Sequence, residues 1–365
     1  MARLKNWITD RWEEVSSRES LPVINPATDE VLAEVPLSSS EDVDRAVQSA
    51  QKALSAWRRT PVTERIQVMF RYKQLLETNF EGIARQITLE CGKTLDESRG
   101  ELRRGIENVE VACGAPILIQ GYHNEDIAPG IDELMIRQPV GVCAIITPFN
   151  FPAMIPLWFL PYAIVCGNTV VLKPSEKVPQ TLVRLLELLI ESGLPPGVVN
   201  LVHGSKEAVD ALLEHPLVKA ISFVGSTAVA RYIYAKGAQN GKRVQAQGGA
   251  KNPIIVLPDA DLEMTTKIVA DSAFGCAGQR CLASSLAITV GGAKEPFLES
   301  MKEASRNRKV GNGLESGVQM GPLINQASRD RVRGLIEIGM QQGGQMIVDG
   351  RQDEIPSGSF LRPTV

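Results

Sequence analysis

From residue 139 onward the chain alternates short runs of branched apolar residues with amphipathic stretches, and this alternation restricts the fold more than any other feature. The runs cover residues 140–146, 169–172, 198–202, 220–224, 243–247 and 254–257, and helical spacing at 180–192 and 206–215 separates several of them. A strand that is apolar at nearly every position must be covered on both faces, and strands joined through helices run parallel. The pattern therefore predicts the α/β class, a parallel sheet with helices on either side. At 365 residues the chain is too long for one ordinary core, so a second domain is expected.

The first third reads as mainly helical. Ser38-Ser39-Ser40-Glu41 offers a capping box, and Val43, Ala46, Val47, Ala50, Ala53, Leu54 and Trp57 then share one helical face. Similar spacing recurs at 66–76, 83–89 and 95–111, interrupted by Pro61, Asn79 and Cys91-Gly92. Residues 122–137 read as an extended pair around Ala128-Pro129-Gly130, an arm with few core residues of its own. The last six residues, Phe360 to Val365, look like a strand cut off in progress, so the chain is expected to be a C-terminal truncation or a fragment.

Composition narrows the partners. With 44% hydrophobic and 22% charged residues and a net charge of -3, the chain has neither a basic stripe for nucleic acid nor a polybasic membrane patch. The apolar run from Pro152 to Cys166 is too short to span a bilayer and is interrupted by Pro156 and Pro161. Asp10, Glu13 and Glu14 near the start argue against a signal or transit peptide, so a cytoplasmic protein is expected. The cysteines Cys91, Cys113, Cys143, Cys166, Cys276 and Cys281 show no CxxC spacing and are expected to be reduced thiols. His123, His203 and His215 are not at metal-ligand spacing, so no metal site is expected. Small molecules and copies of the chain itself remain as partners.

Four segments could carry chemistry. In Gly275-Cys276-Ala277-Gly278-Gln279-Arg280-Cys281, glycines expose backbone amides and Arg280 places a cation beside a thiol, conditions that favour a nucleophilic thiolate at Cys281. An isolated cysteine more often serves as a small buried hydrophobe, which is the reading kept for Cys276. Asn150, between Pro148 and Pro152 after a strand, could donate to a developing oxyanion or could simply belong to a turn. Lys173 and Glu176 follow the next strand and suit ribose hydroxyls, although charged residues commonly follow strands. Gly225-Ser226 ends a strand and opens a helix, where free amides can face a pyrophosphate or merely form a cap. No GxGxxG is present.

Taken in order, Pro148 to Pro152, Lys173 to Glu176, Phe223 to Thr227, Gly249 to Pro253 and Gly278 to Cys281 resemble the aldehyde dehydrogenase superfamily, a likeness running from Val23-Ile24-Asn25-Pro26 to the last residue. The resemblance implies an NAD-binding domain with variant Rossmann topology at 1–119 and 139–248. It also implies an oligomerisation arm at 120–138 and an incomplete catalytic domain at 249–365. It implies a cofactor site of Thr147, Phe149, Lys173, Glu176, Gly225 and Ser226, with Glu176 favouring NAD over NADP. It further implies Cys281 as nucleophile, and an oxyanion hole from the Asn150 side chain and the Cys281 amide. Three departures stand out. Gln247 occupies the usual general-base glutamate position, Ala230 replaces a glycine, and Pro253 replaces a histidine. Gly105 to Glu110, Pro148 to Met154, Gly249 to Asn252 and Ala277 to Cys281 are most similar to the CoA-acylating, methylmalonate-semialdehyde branch. That likeness implies Arg104 and Arg280 as partners of a substrate carboxylate, CoA as co-substrate, decarboxylation, and a homo-oligomer. Arg104 could equally be a solvated charge. A hydrolytic succinate-semialdehyde-type enzyme and a non-catalytic cofactor-binding remnant are the alternatives.

Overall fold

The computed structural model describes residues 2–365 except 353, 354 and 356. The chain opens with four short strands, β1 (Asn6–Ile8), β2 (Arg11–Glu13), β3 (Ser20–Ile24) and β4 (Val31–Pro36). Helices follow: α1 (Ser40–Trp57), α2 (Val62–Thr78), α3 (Phe80–Cys91), α4 (Leu95–Cys113) and α5 (Ala115–Leu118). A hairpin of β5 (Tyr122–Ala128) and β6 (Ile131–Met135) leads into β7 (Val142–Ile146), α6 (Met154–Val165), β8 (Thr169–Lys173), α7 (Pro179–Glu191), β9 (Val199–Leu201) and α8 (Lys206–Glu214). Then come β10 (Val218–Val224), α9 (Thr227–Gln239), β11 (Arg243–Gln247), β12 (Asn252–Val256), α10 (Leu262–Phe274), β13 (Ser284–Thr289), α11 (Lys294–Asn307) and α12 (Gln326–Gln341).

The residues divide into two compact units. The first comprises the described residues up to Leu21 together with Glu34–Ile83 and Glu101–Gly248; the second comprises Pro22–Ala33, Ala84–Gly100 and Gly249–Val365. The sequence reading assigned 22–33 and 84–100 to the first domain. These segments instead cluster with the later residues, a relation that chain order cannot reveal.

In the first unit a seven-stranded sheet runs β11-β10-β7-β8-β9-β1-β2. From β11 to β9 neighbouring strands are parallel, and β1 joins β9 antiparallel. All five residues of β7 and of β8 are buried, as expected of strands covered on both sides. On one face Val142, Ala144 and Ile146 pack with Val43, Val47 and Ala50 of α1, Leu212 of α8 and Ile233 of α9. On the other, α6 lies against β7 and β8, and α2 packs on α6 and α7. The Trp57 indole N–H donates to the Ile164 carbonyl at 3.0 Å, tying α1 to the end of α6. The arm hairpin is exposed along almost its whole length.

The second unit holds a parallel pair, β12 and β13, packed with α10 and α11 around Val256, Val269, Phe274, Phe297 and Met301. Three local expectations need correction. The capping box of α1 is formed by Ser39 and Asp42 instead of Ser38 and Glu41; the Asp42 carboxylate accepts from the Ser39 N–H at 3.0 Å. Four short strands precede the helices of the first third, because runs of three to six residues carry too little periodicity to be seen. Residues 360–365 form no strand, although Val365 exchanges backbone hydrogen bonds with Val348 and accepts one from the Ile347 amide.

Candidate active site

The strand order reverses at β7, since the chain proceeds from β7 to β8 and β9 on one side and to β10 and β11 on the other. In a parallel sheet such a reversal leaves a crevice outside the carboxyl ends of the strands, where ligands bind. Thr147, Phe149 and Asn150 follow β7, Lys173 ends β8 with Glu176 just beyond, and Gly225 and Ser226 follow β10. The first unit therefore gathers every residue expected to touch the cofactor, together with Asn150, on one edge of one sheet.

Lys173 is buried, with its ammonium 3.4 Å from a Glu176 carboxylate oxygen that remains partly exposed. Burial pushes the lysine pKa down, and the glutamate partly offsets this. A cation and a carboxylate fixed together in this way can bind a vicinal diol, one as donor and the other as acceptor. Ser226 is the N-cap of α9 and leaves its side chain uncommitted to the cap, and Ser226 and Thr227 at this terminus are exposed. Such a helix terminus suits a pyrophosphate. A Cβ built on Gly225 would come within 2.3 Å of the Phe223 ring, so only glycine fits where the strand turns into the helix. Ala230 is buried in the core cluster under the sheet, so the methyl that replaces the usual hydrogen is accommodated. These residues fit a nicotinamide dinucleotide.

One carboxylate here was not legible in the sequence. Glu101 of α4 is 3% exposed and accepts from the Ala153 and Met154 amides at 2.8 and 3.1 Å. It satisfies the otherwise unpaired first amides of α6 and so fixes the segment carrying Asn150. His203, just past β9, is also buried, and neither ring nitrogen has a hydrogen-bond partner among the described residues. Burial, with the nearby Lys173 charge, pushes its pKa from 6.5 down to about 3, a shift that the Lys5 backbone only partly offsets. The unfolded chain takes up this proton below pH 6.5 while the folded protein resists it until about 3, so stability falls on acidification through that window. The limiting slope is about 1.4 kcal/mol per pH unit. Urea midpoints at pH 7, 5 and 4 should fall less steeply with acidification in His203→Gln than in the parent; identical slopes would show that His203 does not titrate this way.

In the second unit the thiol segment is held by side chains from distant parts of the sequence. Cys276, Ala277 and Gly278 have φ of 51°, 51° and 72°, three consecutive residues in the left-handed region, where a non-glycine residue costs about 1–2 kcal/mol. Three contacts hold this turn. Glu97 accepts from the Cys276 amide at 2.6 Å with one oxygen, and with the other accepts from the Thr94 amide and hydroxyl as the capping box of α4. The Gln279 carboxamide donates to the Cys276 carbonyl and accepts from the Ile324 amide. Beyond the turn, the Asn252 amide donates to the carbonyls of Cys281 and Ala283 at 2.7 and 3.1 Å. The nucleophile candidate is thus clamped through its own carbonyl.

Cys281 is partly exposed, Cys276 is 3% exposed, and all six cysteines are free thiols. Arg280 is partly buried, and a Cβ on Gly275 would meet its guanidinium at 2.7 Å, so that glycine lets the cation lie across the turn. Arg104 is different. In the first unit it sits on the outer face of α4, its side chain 72% exposed and paired with Glu107 at 3.0 Å. Gln247, the last residue of β11, accepts from the Gly225 amide through its carbonyl. Among the described residues no cluster of His, Cys, Asp or Glu could hold a metal, and no helix is long and apolar enough to cross a membrane.

Comparison with known proteins agrees with this geometry. The chain is 49% identical over 364 residues to malonate-semialdehyde dehydrogenase of Halalkalibacterium halodurans, covering 100% of this chain and 75% of that protein. It is 50% identical to malonate-semialdehyde dehydrogenase 2 of Geobacillus kaustophilus, with 99% and 75% covered. Among solved structures it superposes with a TM-score of 0.97 on methylmalonate-semialdehyde dehydrogenase of Oceanimonas doudoroffii, at 47% identity. It reaches 0.97 and 41% against a putative methylmalonate-semialdehyde dehydrogenase of Sinorhizobium meliloti complexed with NAD. Each of these superpositions covers 100% of this chain and 75% of the other. The aldehyde dehydrogenase family profile matches residues 12–365, and the chain belongs to the aldehyde dehydrogenase family.

Proposed function

We propose that the protein oxidises malonate semialdehyde or methylmalonate semialdehyde with NAD, and releases the acyl group to CoA with loss of carbon dioxide. The observation that carries this reading is the clamped, left-handed turn ahead of a partly exposed Cys281, in a chain about half identical to malonate-semialdehyde dehydrogenases.

Cys281 thiolate attacks the aldehyde carbon, and the Asn150 carboxamide and the Cys281 amide donate to the oxyanion that forms. Thr147, Phe149, Lys173, Glu176, Gly225 and Ser226 hold NAD, which when bound accepts the hydride. Collapse of the adduct leaves a thioacyl group on Cys281. Arg280, beside the nucleophile, pairs the substrate carboxylate, with Arg104 as a second cation once it leaves Glu107. Gln247 offers no base for water, so CoA opens the thioester. Residues 1–119 and 139–248, less the segments 22–33 and 84–100 that cluster with the later residues, then act as the NAD-binding domain, and 249–365 with those two segments as the catalytic domain. The exposed hairpin within 120–138 serves as a contact between subunits of a cytoplasmic homo-oligomer.

Incubation with malonate semialdehyde, NAD and CoA should give acetyl-CoA, carbon dioxide and NADH in equal amounts, and methylmalonate semialdehyde should give propionyl-CoA. Propanal, which lacks the carboxylate, should react with a kcat/KM lower by about 10²-fold or more, because an arginine would be left unpaired. Free malonate as the product, or equal rates with propanal, would refute this reading.

A further inference from the structure

At the opposite, amino-terminal edge of the same sheet lies a second cavity, of about 690 Å³, beside the residues that lead into β7 and β8. Four arginines line it: Arg58 and Arg59 from the turn between α1 and α2, Arg65 from α2, and Arg137 from the segment after β6. No aspartate or glutamate lines it. None of the four arginines is paired with a carboxylate among the described residues, whereas Arg103, Arg104, Arg184 and Arg351 all are. Arg65 is 6% exposed, and two of its donors are spent on the Val165 and Thr60 carbonyls at 2.8 Å. Neutral carbonyls orient that guanidinium without compensating its charge, and burial accordingly lowers its pKa. Two glutamines, a serine and Cys166 add polar groups, Leu54, Ile119, Ile136 and Pro139 form the apolar part of the wall, and the volume is that of a small-molecule site.

We infer that this cavity binds a small, multiply charged anion of the phosphorylated class, held by Arg58, Arg59 and Arg137 around the fixed charge of Arg65. Converging guanidinium forks without a carboxylate suit bidentate contacts to phosphoryl oxygens. Such a ligand would join the α1–α2 turn to the base of the arm hairpin, since Arg137 lies two residues past β6. It does not overlap the cofactor residues, which lie at the carboxyl ends of the strands.

Cys166 is in the same wall, half-buried, and supplies a local reporter. The test uses inorganic pyrophosphate at constant ionic strength with saturating NAD, which occupies the α9 terminus, and is followed by calorimetric titration and by iodoacetamide labelling of Cys166 at pH 8.5. Expected results are one equivalent bound, affinity reduced by about tenfold or more in Arg58→Gln/Arg59→Gln and in Arg137→Gln, and slower Cys166 labelling with Cys113 unaffected. All three substituted residues are exposed, so the variants should fold. Absence of binding, equal affinity in the variants, or binding without protection of Cys166 would each overturn the assignment; the last two would place the anion elsewhere, for example at the Lys173 edge.

Discussion

Replacing Cys281 with alanine should lower NADH formation by on the order of 10⁴-fold or more, while Cys276→Ala should leave it within a few-fold. In the proposed mechanism the hydride leaves from a tetrahedral carbon bearing an oxyanion, and the sulfur of Cys281 is that carbon's fourth substituent. Cys276, five residues earlier, is 3% exposed, and what it contributes to the turn is its backbone, through the amide held by Glu97 and the carbonyl held by Gln279. Alanine at 276 retains both groups. Single-turnover absorbance at 340 nm separates the two cases, and a silent Cys276→Ala beside an active Cys281→Ala would reverse the assignment.

The second large effect concerns the fate of the acyl group. Without CoA, a rapid burst of NADH should be followed by a slow steady rate, and CoA should restore fast turnover. Water attacking a thioester must lose a proton in the transition state, and the Gln247 carboxamide cannot take it at neutral pH. The CoA thiol is already partly ionised near pH 7 and depends far less on a protein base. Gln247→Glu should therefore raise CoA-independent formation of the free acid by about 10²-fold or more. Burst amplitude should be preserved, because it reports formation of the thioacyl group and not its release. Fast steady turnover to the acid in the parent without CoA would show that some other group already serves as base.

Much of the first unit could be read in the sequence, and physical reasons explain which part. Strands β7, β8 and β10 announce themselves as apolar runs, and once the sheet is parallel their carboxyl ends are fixed, so the positions of Asn150, Lys173 and Gly225 follow from chain order alone. The residues that position these groups gave no such signal. Glu97 meets the Cys276 amide across 179 residues, Glu101 meets α6 across 52, and Asn252 meets the Cys281 carbonyl across 29. A buried carboxylate on an amphipathic helix has the same local pattern as a solvated one, and only the fold distinguishes them. Arg104 and Glu101 illustrate this within one turn of α4, since the residue singled out from the sequence is solvated and the one passed over is buried. At the start of α1, three consecutive serines could each serve as cap, and the choice fell to Ser39 because Asp42 reaches its amide.

The left-handed turn before the proposed nucleophile also has a meaning for selection. Cys276 and Ala277 occupy backbone conformations that glycine adopts freely, so a search for heat resistance would readily find glycine at either position. Each such change relaxes local strain and, if the turn's rigidity helps to place Cys281, would at the same time loosen the approach to it. Heat resistance and turnover would then be drawn in opposite directions by the same two codons. A lineage kept for its catalysis would hold a strained pair there, and one released from catalysis would be free to drift toward glycine.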